Sequence, residues 1–328
     1  MRQLAIVILL IILSISLRAQ QADASLSRRA DSVAALYSGH SLYQLKALAD
    51  KLTTPFSADT DKFRAIYTWV CTNIATDYSS YRKSKYKRPN PESDPQKIRM
   101  WNQEFTSDVF RTLLTQHKTV CTGYAYLVCE LSRLAGIQCE MVNGYARTAN
   151  SAQVLTNQPN HTWNAVWLNG SWKLCDPTWS SGRLDATTGE FLAMYDDVYF
   201  LVDPNVFANN HYPVDTSWLL IRQKRSLAEF HRQPISYAPA YRFGISELSP
   251  MLFTHLVVRG ERTEFQFNST VAIADVSVKV GESQPVSLPY QQTGNHYRTE
   301  YVFQTKGTRV VHLLINGQPA ITYRVVVE

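Results

Sequence analysis

In KTVCTGYAYLV, residues 118–128, a cysteine stands just ahead of an apolar run: Cys121 is followed by a polar residue, a glycine and then Tyr124. A packing cysteine belongs inside such a run, where Cys129 sits. A thiol at the start asks for chemical partners. The stretch HTWNAVWLNGSWKLCDPTW, residues 161–179, supplies them. Its Asn169-Gly170 is a strong two-residue hairpin signal between alternating residues. Closing that turn pairs Leu168 with Ser171, so Trp167 faces Trp172, Ala165 faces Leu174 and Trp163 faces Asp176. Alternation puts His161 on the same face, diagonal to Asp176. A carboxylate beside an imidazole orients the ring and stabilises its charged form. Thiol, imidazole and carboxylate are the nucleophile, base and orienting group of covalent catalysis. A structural His–Asp pair would look the same; the thiol favours the chemical reading. A zinc site on His161, Cys175 and Asp176 fails, because alternation turns Cys175 away and there is no C-x-x-C pair. No metal or cofactor is expected.

These residues need a helix start and a hairpin to hold them. Ala125, Val128, Leu131 and Leu134 recur at three-residue steps from Cys121, and Gly136 with Ile137 marks the stop. Cys121 therefore opens a helix, where backbone N–H groups and the positive end of the dipole favour a thiolate. Gly123 leaves room for close approach of another segment. Upstream, residues 25–53 read as helix. DKFRAIYTWVCTNIATD follows as a second, with Phe63, Ile66, Val70 and Ile74 on its core-facing stripe. Residues 78–104 read as a polar excursion, and SDVFRTLLTQH as a short helix. QCEMVNGYAR precedes the hairpin as a strand. Residues 194–220 are rich in aromatic and turn residues.

The whole is an α+β chain. Residues 1–20 have a signal-peptide layout, with Arg2, the apolar Leu4–Leu17 and Ala19 at the cleavage point; the apolar part is short for a membrane span. Catalytic machinery is assigned to 21–222, a linker to 223–249 and a β-sandwich of about seven short strands to 250–328. The sandwich has no acid/base cluster, its His255, His296 and His312 being scattered. It is read as a packing module, or one that binds another protein or a cell-envelope component.

The chain of 328 residues carries a formal charge of +6. Removal of residues 1–20, with Arg2, Arg18 and no acid, leaves 31 cations against 27 acids, or +4. That is mildly basic and weak evidence for an anionic partner. The dense patch YRKSKYKRP, residues 81–89, is read as a solvated loop. No nucleic-acid motif accompanies it, so nucleic acid is excluded as a partner. Five cysteines, at 71, 121, 129, 139 and 175, leave at least one unpaired within a monomer. If four pair, Cys121 is the free thiol. The connectivity is open, and the other four may equally be read as buried and reduced.

VCTGYAYLVCELSRLAGIQCEMVNGYAR, then NHTWNAVWLNGSWKLCDPTW, resembles the core of the transglutaminase-like superfamily. FRAIYTWVCTNIATDY before it and YFLVDPNVFANNHYPVDTSWLL after it are similar to the kyphoscoliosis-peptidase-like branch. The resemblance covers roughly residues 40–222. It implies a papain/transglutaminase-like core of helices on an antiparallel sheet, here followed by an immunoglobulin-like sandwich. It also implies Cys121 as nucleophile, His161 as general base and Asp176 as its orienting partner. An oxyanion donor upstream of the cysteine is part of the family pattern; Trp69 and Trp101 are candidates, and His211 in the flank is expected to be structural.

The expected function is an exported, secreted or periplasmic enzyme that transfers acyl groups from peptide or protein amides through a thioester. Hydrolysis is favoured over amine cross-linking. The other-class alternative is an exported scaffold or binding protein that retains the fold. After removal of the leader no membrane insertion is expected.

Overall fold

The computed structural model describes residues 27–89, 93–148, 158–185 and 188–328. The leader expected over residues 1–20 lies outside them. Among the described residues no helix is long and apolar enough to cross a membrane. The chain forms two compact units, one containing residues up to 141 and 163–200, the other 142–162 and 201–328.

In the first unit the helix expected over 25–53 is interrupted. Helix α1 (27–36) stops ahead of Gly39, whose φ of +70° suits a residue without a Cβ. A 3-10 turn, Leu42–Gln44, restarts the chain with the Ser41 side chain accepting from the Tyr43 N–H, and α2 (Leu45–Thr53) follows. Helix α3 (Asp59–Asn73) buries Phe63, Ile66 and Val70 as its periodicity predicts. Burial in fact runs without a break from Phe63 to Cys71, so α3 is the central helix of the unit. Its polar members are satisfied. Tyr67 Oη donates to Ser180 Oγ (2.8 Å), and the Trp69 indole donates to the Tyr37 carbonyl (2.7 Å). The buried Arg64 bridges Asp31 and Asp197.

The basic patch expected as loop is helix α4 (Tyr78–Lys87), capped by Asp77 and burying no residue. Lys83 ties it to Asp108 (2.9 Å) of α5 (Pro95–Gln116). That helix begins well before residue 107, because Asp94 accepts from the Gln96 N–H and Pro95 takes the first helical position. It ends at the left-handed His117 (φ 53°). The chain then pairs in parallel, β1 (Ala75–Thr76) with β2 (Lys118–Thr119), and enters α6 (Cys121–Leu134). Strands β3 (Cys139–Ala146) and β4 (His161–Leu168) each run from one unit into the other. β5 (Ser171–Cys175) pairs antiparallel with β4, and α7 (Pro177–Ser181) follows it. β6 (Gly182–Leu184) and β7 (Phe191–Ala193) form a short antiparallel pair.

In the second unit β8 (His211–Pro213) pairs antiparallel with β3, Ala146 opposite His211. A small core of Ala208, Tyr212, Leu219, Ile221 and Phe230 packs there, near α8 (Pro204–Phe207) and α9 (Leu227–Arg232). Arg147 is buried beside it. Its guanidinium donates to the carbonyls of Phe230 (2.6 Å) and Gln233 (2.8 Å), and burial pulls its pKa down to about 10.

Residues 223–249 also hold β9 (Ile235–Ser236), α10 (Ala238–Arg242) and β10 (Ser246–Ser249). Eight strands then follow in 250–328: β11 (Thr254–Val257), β12 (Arg262–Asn268), β13 (Val276–Val280), β14 (Val286–Ser287), β15 (Tyr290–Thr293), β16 (His296–Val302), β17 (Gly307–Ile315) and β18 (Gln318–Val327). They form two sheets, ordered β10-β12-β16-β15 and β11-β18-β17-β13-β14, with β9 added on β18. All pairs are antiparallel except β11 with β18. Alternation sets the core: in β12, Thr263, Phe265 and Phe267 point inward while the residues between them do not. Asn316-Gly317, with positive φ at both, makes the β17–β18 turn. The architecture is the expected α+β core followed by a β-sandwich.

Candidate active site

Cys121 is the first residue of α6 and is half-buried. Val120 before it is extended, and its carbonyl accepts from the Gly123 N–H (2.9 Å) and the Tyr124 N–H (3.2 Å). The chain is delivered to this point by the β1–β2 ladder, in which Ala75 N donates to His117 O and Asp77 N to Thr119 O. Tyr124 anchors the first turn from inside, its hydroxyl donating to the Ile74 carbonyl (2.8 Å). The far end of α6 closes as its residues predict. Gly136 is left-handed (φ 78°), its N–H bonds to Arg133 O, and the Ile137 N–H reaches Ser132 O (2.9 Å).

Gly123 gives room to Thr119. A Cβ at 123 would lie 1.9 Å from Thr119 Oγ1 and 2.8 Å from its Cβ, and Thr119 is fully buried. A β-branched side chain in a closed site cannot swing away. Gly123→Ala is therefore expected to destabilise the first unit by about 1–3 kcal/mol, read as a lowered urea midpoint.

The hairpin has the register read from its sequence. Asn164 pairs with Cys175, Ala165 with Leu174, Trp167 with Trp172 and Leu168 with Ser171, around Asn169 (φ 51°) and Gly170 (φ 77°). Both faces of β4 are buried, and only Trp167 is exposed. Asp176 follows directly and is fully buried. It does more than end a strand. It is the N-cap of α7, its Oδ1 accepting from Thr178 N (2.9 Å) and Trp179 N (3.1 Å), with Pro177 in the first helical position. Its own N–H donates to Tyr199 O (3.1 Å). α7 is fixed in turn: Ser181 Oγ donates to Tyr124 Oη (3.2 Å), and Cys71 Sγ donates to Pro177 O (3.4 Å). Burial pushes the Cys71 and Cys175 thiols up, so both pack as neutral groups.

His161 is buried at the head of β4, in the second unit. Asn160 sets it in strand geometry: its side-chain amide accepts from Ala146 N (2.7 Å) and donates to Ala146 O (3.0 Å), while its own N–H bonds Gly144 O (2.9 Å). The His161 ring lies 5.6 Å from the ring of His211. His211 stacks on Phe207 at 3.9 Å and 14°. Sequence reasoning placed His211 apart from the chemistry; its neighbourhood to His161 follows from the β3–β8 pairing, which no local pattern announces. Of the two oxyanion candidates, Trp69 has its indole N–H committed to Tyr37 O, and Trp101 stacks on Phe105 at 4.7 Å.

Residues 46–177, which include Cys121, His161 and Asp176, match the family described as Transglutaminase-like superfamily. The chain is 29% identical over 279 residues to the kyphoscoliosis peptidase of Mus musculus, covering 84% of this chain and 39% of that protein. It is 31% identical over 221 residues to the kyphoscoliosis peptidase of Homo sapiens, covering 67% and 31%. It is 25% identical over 208 residues to the Lim and transglutaminase domain protein ltd-1 of Caenorhabditis elegans, covering 60% and 26%. In each case the alignment spans well under half of the relative's length. The chain belongs to the transglutaminase-like superfamily, on its kyphoscoliosis-peptidase-like branch.

Proposed function

We propose that this protein is an exported cysteine-dependent acyl-transfer enzyme acting on peptide or protein amides, with Cys121 as nucleophile, His161 as general base and acid, and Asp176 as the group that orients His161. The observation that carries the reading is the hairpin register, with Asn164 opposite Cys175. His161 opens the strand three residues before Asn164, and Asp176 is the next residue after Cys175. The start of α6 at Cys121 supports the nucleophile, since a helix N-terminus favours the thiolate.

In this reading the thiolate attacks the amide carbonyl, and backbone N–H groups of the first turn of α6 hold the oxyanion. The C–N bond breaks, the leaving amine takes its proton from the His161 imidazolium, and a Cys121 thioester remains. His161 then takes a proton from water as the water attacks the thioester, releasing a carboxylic acid and restoring the thiolate. Oδ2 of Asp176 is the oxygen we assign to the imidazole, because Oδ1 accepts from Thr178 and Trp179. Hydrolysis is favoured over amine transfer because two relatives carry the name peptidase.

The pH dependence of Cys121 alkylation by iodoacetamide tests the ion pair, read by peptide mass on the full chain alongside His161→Ala. Labelling is expected to persist well below pH 7 in the parent. In the variant it should rise only toward the ordinary thiol pKa of about 8.5. Identical profiles in the two proteins would remove His161 from the mechanism.

A further inference from the structure

We propose that Cys129 and Cys139 form a disulfide that staples the second half of α6 to the first residue of β3. Their sulfurs lie 2.7 Å apart, well inside the contact distance of two non-bonded sulfur atoms. The intervening segment holds them there. It is the last turn of α6 and the tight stop at Gly136 and Ile137, a geometry that turns β3 back along the helix. Asn164 of β4 completes the arrangement, its amide donating to the Ala125 carbonyl (2.9 Å) and to Cys129 Sγ (3.1 Å), with Cys139 Sγ at 3.6 Å. A side chain fully buried in the unit thus registers both sulfurs against α6.

The pair is also reachable. Both cysteines are half-buried and line a surface cleft with Tyr126, Arg133 and Ile137. Cys71 and Cys175, by contrast, are fully buried. Burial, and then its cysteine neighbour, pushes the Cys139 thiol up. Two sulfurs packed this closely relieve their overlap by becoming one S–S bond. The oxidant is a disulfide, small-molecule or protein. One thiolate of the pair attacks it to give a mixed disulfide and expel the first donor thiolate. The second cysteine then displaces the other. The S–S bond forms, two protons leave, and the two electrons stay on the donor as a dithiol. This pairing uses neither His161 nor Asp176 and leaves Cys121 as a thiol, so it stands apart from the acyl-transfer reading.

The staple closes a short loop on the helix that begins at Cys121, and so removes freedom from the unfolded chain of that segment. The experiment is peptide mapping of the full chain after equilibration with oxidised glutathione, with remaining thiols blocked by N-ethylmaleimide and no reductant added. Trypsin cleaves after Lys118, Arg133 and Arg147, so Cys139 is released on 134–147, and both Cys121 and Cys129 on 119–133. The expected result is one linked species of these two peptides that persists in Cys121→Ala and disappears in Cys129→Ser. Dithiothreitol is expected to lower the Tm of the parent by several degrees and to leave a Cys129→Ser/Cys139→Ser variant unmoved. Recovery of Cys129 and Cys139 both alkylated after the oxidising treatment, or of Cys139 joined to any other cysteine, overturns the proposal.

Discussion

Asp176→Asn is expected to leave the first unit folded and to cut turnover by about 10⁴-fold, the loss seen when a triad aspartate is replaced by asparagine. The substitution separates two duties of one side chain. Oδ1 of Asp176 caps α7 by accepting from Thr178 and Trp179, and asparagine caps a helix about as well as aspartate. Stability should therefore shift by less than about 1 kcal/mol. What asparagine cannot supply is the negative charge that steadies an imidazolium and selects its tautomer. Hydrolysis of fluorescently labelled casein, measured beside a urea unfolding curve, reads both duties at once. Turnover equal to the parent's would reduce Asp176 to a helix cap and take the orienting role from it.

Arg64→Met is expected to destabilise the first unit by about 3 kcal/mol, the lower end of the range for breaking a buried ion pair. The Arg64 guanidinium donates through Nε and Nη2 to the two oxygens of Asp31, both at 2.8 Å, and through Nη1 to Asp197 (2.9 Å). It also lies 4.9 Å over the Phe200 ring. Burial works to lower its pKa, yet the bonds to Asp31 and Asp197 outweigh that and hold it above the usual arginine value. Methionine fills much of the volume but leaves two carboxylates without their cation. Asp31 and Asp197 keep 32% and 55% of their side-chain exposure, so water recovers part of the loss; hence the lower end. A urea titration checks it, and Asp31→Asn in the same background gives the coupling. A loss below about 1 kcal/mol would mean that the pair is no stronger than a surface one.

What was readable in the residues was local. Asn169-Gly170 fixed the hairpin to the residue, since a two-residue turn admits one register. The stop at Gly136 was equally plain, because a left-handed position followed by an apolar residue has one common solution. The Asp-Pro pairs were harder. An Asp-Pro pair suits a turn or a strand end as well as a helix start, yet Asp94-Pro95, Asp176-Pro177 and Asp203-Pro204 are each an N-cap followed by the first residue of a helix. The same two residues serve both purposes, and only the chain that follows decides. In α4 the cations and tyrosines carry no apolar stripe, so periodicity had nothing to report. The His161–His211 neighbourhood and the Cys129–Cys139 contact were out of reach for a different reason. The first depends on pairing between strands far apart in sequence. The second depends on the angle at which β3 leaves α6.

The order in which the chain is made bears on the division into two units. Residues 142–162 are counted with a unit whose remaining members begin only at 201 and run to the last residue. During synthesis, the stretch carrying His161 emerges long before most of its own unit exists. The cysteine and the aspartate, both in the other unit, can reach their folded surroundings once residue 200 is out. A half-made chain would thus hold a formed thiol helix without a settled imidazole. If the proposed chemistry is right, such a chain is inert until β8, whose His211 pairs with Ala146 and neighbours His161, has emerged. Timing alone would then keep a nascent hydrolase from acting where it is born.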